Sequence, residues 1–268
     1  MDDTPIAVIT GASSGIGAAL ARAYAARRWR LLLAGRRAPA LEAVALDCAA
    51  LQGGEVVDPQ RLRLVVGDLR DAPDWRAHAA ALLRDWGCPQ VVIANAGISH
   101  GVDLAQGSDL EVARAIMDSN WAAALATLSP FIVPMRARGS GRLVGITSVA
   151  GVRGLPGHAA YSASKAALAR SLESLRVELR DSGVRVVTIS PGYVATPMTA
   201  GNPFPMPFLL DPDAFARRAL RAIERGRAHA TIPWPMALLG AVLHLLPTSL
   251  YDALLARAGR KPRLPPDE

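Results

Sequence analysis

The sequence predicts an α/β fold, a doubly wound parallel sheet of seven strands in one domain. Three observations predict it. Short apolar runs rich in β-branched residues alternate with longer amphipathic stretches from end to end. The first run leads directly into a Gly-rich turn that opens a helical stretch. The 268 residues, 51% hydrophobic and 20% charged, are enough for one large domain with a real core.

In order, Ile6–Thr10 is a continuous apolar run, as a parallel strand covered on both faces requires. The helical stretch Gly15–Arg28 follows, then a strand at Leu31–Gly35 and a helix at Ala38–Ala50. Leu62–Val66, Val91–Ala94, Leu143–Thr147, Val184–Ser190 and Ala230–Pro233 repeat the strand pattern. Asp74–Trp86, Ser108–Arg138 and His158–Ser182 are the intervening helices. Strand and helix in strict alternation give right-handed crossovers and helices on both faces. Asn202–Pro212, with Pro203, Pro205, Pro207 and Pro212, reads as a loop or lid. Its Phe204, Met206, Phe208, Leu209 and Leu210 suit an apolar substrate or a partner subunit.

Composition removes several classes. Gly 23 and Pro 20 are ordinary counts, so collagen-like and wholly disordered chains are excluded. Two cysteines, Cys48 and Cys88, cannot build a disulfide framework or a four-ligand zinc site, and no metal is expected. Met1-Asp2-Asp3 is acidic where a signal peptide is basic, and no apolar run reaches spanning length. The expectation is a cytoplasmic protein. The net charge of +7 is localised: residues 214–263 hold nine basic residues against Glu224 and Asp252. Only Lys165 and Lys261 are lysines among the 30 basic residues.

Thr10-Gly11-Ala12-Ser13-Ser14-Gly15-Ile16-Gly17 has the context of a dinucleotide-binding turn, strand before and helix after. Gly11 permits the tight turn, Gly15 the approach of a pyrophosphate, and Gly17 close helix–strand packing. Ser13, Ser14 and Ile16 share the turn, and the helix N-terminus offers free N–H groups. The second strand ends Ala34-Gly35-Arg36-Arg37, with no acid to hold a ribose 2′-hydroxyl. Arg36 and Arg37 suit a 2′-phosphate, which favours NADP(H) over NAD. A solvated arginine pair is the alternative.

Tyr161 and Lys165 stand four residues apart, on one face of a helix. A fixed ammonium favours phenolate and is expected to lower the tyrosine pKa toward the working range. Lysine scarcity strengthens this pairing. Ser148 ends the strand Leu143–Thr147, so its hydroxyl faces the crevice at the carboxyl ends of the strands. Asn95, Ala96 and Gly97 end the fourth strand and wall the same crevice. His100 and His158 lie near it, and His158 is a candidate lining residue of a substrate pocket.

With these motifs in order over residues 5–233, the chain resembles the short-chain dehydrogenase/reductase family, whose sheet is Rossmann-like. The resemblance implies that Tyr161 is the acid–base, Ser148 orients a carbonyl, and Lys165 lowers the tyrosine pKa and holds the ribose. It implies that Asn120 fixes a water in a proton relay. It places Asp68 and Leu69 at the adenine, and Pro191, Gly192, Val194 and Thr196 at the nicotinamide carboxamide. Where the family has Asn-Asn-Ala-Gly, this chain has Ala94 in place of the first Asn.

The expected organisation is a nucleotide-binding and catalytic domain over residues 1–233, with a lid at about 193–228, and an apolar, basic helical extension over 234–268. The family's usual short ending is absent. Met236–Leu246 is apolar nearly all round, and Arg257, Arg260, Lys261 and Arg263 follow Leu250, Leu254 and Leu255. This extension suits peripheral contact with the inner face of a membrane through 234–263, a cover over the pocket, or a subunit interface. The charge fits nucleic acid but the apolar neighbours do not, so no nucleic-acid partner is expected. The functional expectation is an NADP(H)-dependent oxidoreductase, a homodimer or homotetramer, interconverting an apolar carbonyl and its alcohol. The alternative is a non-catalytic dinucleotide-binding regulator on the same fold.

Overall fold

The computed structural model describes residues 4–256 and 258–263. Arg257 and residues 264–268 of the extension, and the acidic start Met1–Asp3, lie outside the described residues. Seven parallel strands form one sheet in the order β3-β2-β1-β4-β5-β6-β7. They are β1 Ile6–Thr10, β2 Arg30–Gly35, β3 Leu62–Val66, β4 Val91–Ala94, β5 Gly141–Ile146, β6 Val184–Pro191 and β7 His229–Ile232. The order reverses between β1 and β4, where Ala7, Val8 and Ile9 pair with Val91, Val92 and Ile93. At such a reversal the connections leave in opposite directions, and a crevice opens at the carboxyl ends.

Every residue of β1, β2 and β4 is buried, which explains their continuous apolar runs. Side chains alternate between two cores. Ala7, Ile9, Leu31 and Leu33 pack with helices α1 (Gly15–Ala25) and α2 (Ala38–Leu51). Ile6, Val8, Leu32 and Ala34 pack with α3 (Ala72–Asp85) on the other face.

The long helix expected over Ser108–Arg138 is divided. It runs as α4 (Asp109–Met117), a single wide π turn (Asp118–Ala122) and α5 (Ala123–Arg138). The wide turn carries Asn120, whose amide is engaged outside the helix. Such single-turn bulges are frequent at functional sites. Pro130 and Pro134 lie within α5 without ending it. Ser129 Oγ donates to the Ala126 carbonyl that Pro130 cannot serve.

Helix α6 (Ala159–Glu178) follows β5, and a short helix α7 (Pro197–Ala200) follows β6. The reading of about 193–228 as lid needs correction. Pro212–Glu224 is a helix, α8, that buries Phe215, Ala216, Ala219, Leu220 and Ile223 in the core beside α1. An apolar face this complete belongs to the scaffold and not to a lid. Two helices close the described chain, α9 (Pro235–Leu245) and α10 (Thr248–Leu255). Arg153 fastens them. It donates to the Leu243 and Leu246 carbonyls at the end of α9, and its guanidinium lies 3.9 Å from the Tyr251 ring of α10.

Tyr24 is fully buried in α1 against Trp29, and its hydroxyl has no hydrogen-bond partner among the described residues. A buried unpaired hydroxyl costs about 1–3 kcal/mol. Tyr24→Phe is therefore expected to raise the unfolding free energy by about 1 kcal/mol in a denaturant titration. A loss of stability of that size would show that the hydroxyl is satisfied.

Candidate active site

The crevice between β1 and β4 opens into a cleft of about 310 Å³. Its floor is the Gly-rich turn. Gly11 and Gly15 adopt φ of +64° and +54°, which side chains rarely tolerate. A Cβ on Gly17 would stand 2.2 Å from the Gly11 carbonyl oxygen. Gly17 therefore lies behind the turn and does not line the cleft, whereas Gly11, Ser13, Ser14, Gly15 and Ile16 do. Gly17 makes a close packing contact of the helix start on the turn, the role its position in the turn calls for. Ser14 precedes α1 but makes no side-chain cap, so the first-turn N–H groups of an eleven-residue helix face the cleft uncapped.

Asn95 lines the cleft and also clamps its floor. Its Nδ2 donates to the carbonyls of Thr10 at 2.9 Å and Gly11 at 3.2 Å. Ala96 and Gly97 continue that wall.

At one end stand Arg36 and Arg37, just past β2. Arg37 bends back over the turn and donates to Ser14 Oγ at 2.8 Å and Ser13 Oγ at 3.3 Å. Asp68 and Leu69 line the same end. The Asp68 carboxylate is already engaged: the Arg70 guanidinium approaches it to 2.6 Å and holds it below the usual carboxylate range. Arg70 also lines the cleft, a third guanidinium that the sequence reading missed. The spacing of an acid and an arginine two residues on was the available signal.

At the other end stand Ser148, Tyr161 and Lys165, with Pro191, Gly192, Val194 and Thr196 opposite. Ser148 follows β5 and accepts a hydrogen bond from the Ala150 N–H, which sets its rotamer. Lys165 Nζ donates to the Ile146 carbonyl at 3.0 Å and lies 5.9 Å from the centre of the Tyr161 ring. Lys165 is buried and Tyr161 half-buried. Burial raises the Tyr161 pKa, and the hydrogen bond from Ser148 offsets part of that rise. Burial also pulls the Lys165 ammonium down to about 8. Desolvation thus dominates both groups, and on the phenol Ser148 opposes it.

Asn120 does not line the cleft. It is fully buried, and its Oδ1 accepts from the Ile98 N–H at 2.8 Å. Its Nδ2 donates to the Ile98 carbonyl and to Ser164 Oγ, each at 3.0 Å. Ser164 in turn donates to the Tyr161 carbonyl. The side chain thereby tethers the loop after β4 to α6. A Cβ on Gly97 would meet Asn120 Oδ1 at 2.8 Å and Lys165 Nζ at 3.4 Å, so only glycine fits between them.

The cleft also takes residues that motif reading did not single out. Ile98, Ser119 and Thr147 line it, as do Pro197, Met198 and Thr199 of the lid. Their placement follows from the β1/β4 reversal and the lid's fold, which leave no local spacing signal. Among the described residues no group of three or more His, Cys, Asp or Glu is placed to hold a metal. No described helix is long and apolar enough to cross a membrane.

With two lysines in the chain, lysine-labelled NMR isolates Lys165. One side-chain signal is expected to titrate with a midpoint near pH 8 and to vanish in Lys165→Met. A midpoint near the ordinary 10.5 would mean that the ammonium stays hydrated.

Residues 5–203 match the family model described as short chain dehydrogenase. An uncharacterized oxidoreductase of Myxococcus xanthus is 43% identical over 251 residues, 94% of this chain and 96% of that one. The dehydrogenase/reductase SDR family protein 7-like of Drosophila melanogaster is 31% identical over 96% of this chain and 81% of its own. Among solved structures, a variant actinorhodin polyketide ketoreductase with NADPH aligns with a TM-score of 0.76. It is 25% identical, over 87% of this chain and 97% of that one. An alcohol dehydrogenase of Thermococcus sibiricus complexed with 5-hydroxy-NADP aligns at 0.72 with 26% identity, over 86% and 96%.

Proposed function

Since the chain belongs to the short-chain dehydrogenase/reductase family of oxidoreductases, we propose that it is an NADP(H)-dependent enzyme that reduces an apolar ketone or aldehyde to its alcohol. One observation carries the reading. A single cleft has Arg36, Arg37 and Arg70 at one end and the half-buried Ser148 and Tyr161 with the buried Lys165 at the other.

The residues fit a dinucleotide. The uncapped N–H groups of α1 and the bare backbone of Gly11 and Gly15 suit a pyrophosphate, and a Cβ on Gly15 would come within 3.0 Å of Thr196. Arg36 and Arg37 hold a 2′-phosphate, Asp68 and Leu69 flank the adenine, and Lys165 reaches the ribose. Pro191, Gly192, Val194 and Thr196 face the carboxamide. The nicotinamide, when bound, supplies the hydride.

Ser148 orients the carbonyl oxygen by donating to it. Tyr161 donates its proton to the same oxygen as negative charge develops there. A phenol kept protonated by burial is ready for that direction, which agrees with a reductive role. Lys165 sits below the phenol and supports the charge left on it. Asn120 acts at one remove, fixing Ile98 and Ser164 and so the relation of the β4 wall to α6.

Two features extend the proposal beyond the cleft. The outer face of α9 is bare: Trp234 is 74% exposed and Leu245 81%, with Leu238 and Val242 between them. With Leu250 and Leu254 of α10 also exposed, this face suits shallow insertion at a membrane surface, with the exposed Arg260 beside it. Exposed Val133 on α5 and Val177 on α6 suit a homo-oligomeric contact across those helices.

Tyr161→Phe is expected to cut carbonyl reduction by about 10³-fold while leaving NADPH affinity within about threefold. Near-native turnover would overturn the mechanism. Arg36→Ala with Arg37→Ala should weaken NADPH about 100-fold and NADH far less, by the loss of charge-assisted hydrogen bonds. Equal losses for both nucleotides would remove the 2′-phosphate assignment. For the membrane face, the full chain should float with vesicles of anionic lipid and Leu238→Glu with Leu245→Glu should not. A chain that stays at the bottom of the gradient in both forms has no such contact.

A further inference from the structure

The lid, residues 195–210, is pinned at its neck. Ala195 N–H donates to the Leu210 carbonyl, and Leu210 N–H to the Tyr193 carbonyl, each at 2.9 Å. Beyond the neck it carries Thr196, Pro197, Met198 and Thr199 along the cleft and Phe204 further out. The Phe204 ring stands 6.1 Å from His158, and His158 stands 6.1 Å from Tyr161. Phe204 is thereby connected to the acid–base residue through one ring.

The end of the described chain holds this lid. Lys261 Nζ donates to lid residue Asn202 Oδ1 at 2.6 Å and to the Met198 carbonyl at 3.2 Å. Gly259 packs against Phe204, near enough that a Cβ there would lie 3.7 Å from Phe204 Cβ. The same segment is fastened to the scaffold on its other side. Gly101 N–H donates to the Pro262 carbonyl at 2.8 Å. Arg263 takes the buried Asp109 carboxylate with both arms, at 2.6 and 2.7 Å. The segment lies flat on two glycines: a Cβ on Gly101 would reach 2.1 Å from the Lys261 carbonyl oxygen, and one on Gly157 would reach 2.9 Å from its nitrogen.

We propose that residues 259–263 form a clasp over the cleft, and that Lys261 is a positioning residue that fixes the lid, and Phe204 on it, opposite Tyr161. The distance so fixed sets the size of carbonyl substrate the cleft admits. The clasp stands on its own contacts; only its effect on substrate rests on the reductase reading. Lysine is the fitting residue there. Its compact ammonium reaches a side-chain oxygen and a backbone oxygen on different residues, where a planar guanidinium is built for one flat partner. The chain uses lysine twice among 30 basic residues, once beneath Tyr161 and once at this clasp.

The test is amide hydrogen exchange on the full chain, with Lys261→Met, Asn202→Ala and the double variant. The lid amides 195–210 should exchange about tenfold faster in Lys261→Met, less so in Asn202→Ala, which leaves the bond to Met198, and no faster in the double variant than in Lys261→Met, which already removes both bonds. Exchange in the central strands should not change. Unchanged lid exchange, additive effects in the double variant, or faster exchange through the whole sheet would each overturn the clasp. With NADPH and a series of aldehydes of rising size, Lys261→Met should raise KM for small substrates several-fold, leave kcat within about twofold, and admit larger ones. An unaltered size preference would overturn the specificity role. If no carbonyl is turned over by the unaltered protein, the reductase reading fails while the exchange data still decide the clasp.

Discussion

The architecture depends on one close approach, that of the turn after β1 to the end of β4. A Cβ on Gly11 would lie 2.7 Å from Ala96 Cα, and one on Gly17 would lie 2.2 Å from the Gly11 oxygen. Two missing side chains let the first helix start directly over the sheet, and the Asn95 amide ties both strand ends together. The crevice produced by the strand reversal is thus rigid at its floor. Its upper wall is assembled from distant parts of the chain.

From that floor the cleft runs between two electrostatic regimes. The guanidinium end, with Arg36, Arg37 and Arg70, is open to solvent. The Tyr161 end is more enclosed, with Lys165 buried and Tyr161 half-buried. There burial acts on both titratable groups in the same sense, toward the neutral phenol and the neutral amine. Ser148 opposes that trend on the phenol, and the Ile146 carbonyl accepts from the ammonium. The geometry of this pair is then protected from behind. Asn120, placed by the wide helical turn, bonds the loop after β4 to α6 and leaves room only for glycine at position 97.

The C-terminal helices serve the same end of the molecule. Arg153 follows the short turn after Ser148 and is the residue on which α9 and α10 are seated. From there the chain returns across the loops that precede α4 and α6 to meet the lid. Sequence-distant parts therefore converge on the mouth of one cleft, with α9 turning its apolar outer face away from the scaffold.

The sequence by itself determined what is local. Runs without polar alternation mark strands buried on both faces; glycines between a strand and a helix mark the phosphate turn; Tyr161 and Lys165 share a face because a helix repeats every 3.6 residues. From these the seven-stranded parallel sheet and most of the cleft-lining residues are legible. Tertiary structure decided the rest: the division of the helix at Asn120, the place of 212–224 in the core, the sign of the Tyr161 shift and the seat of Lys261. Each of these depends on burial, on which groups meet after the fold has closed, or on contacts between segments up to about 200 residues apart. Periodicity and spacing carry no record of such meetings, because they describe a residue's neighbours along the chain and not its neighbours in space.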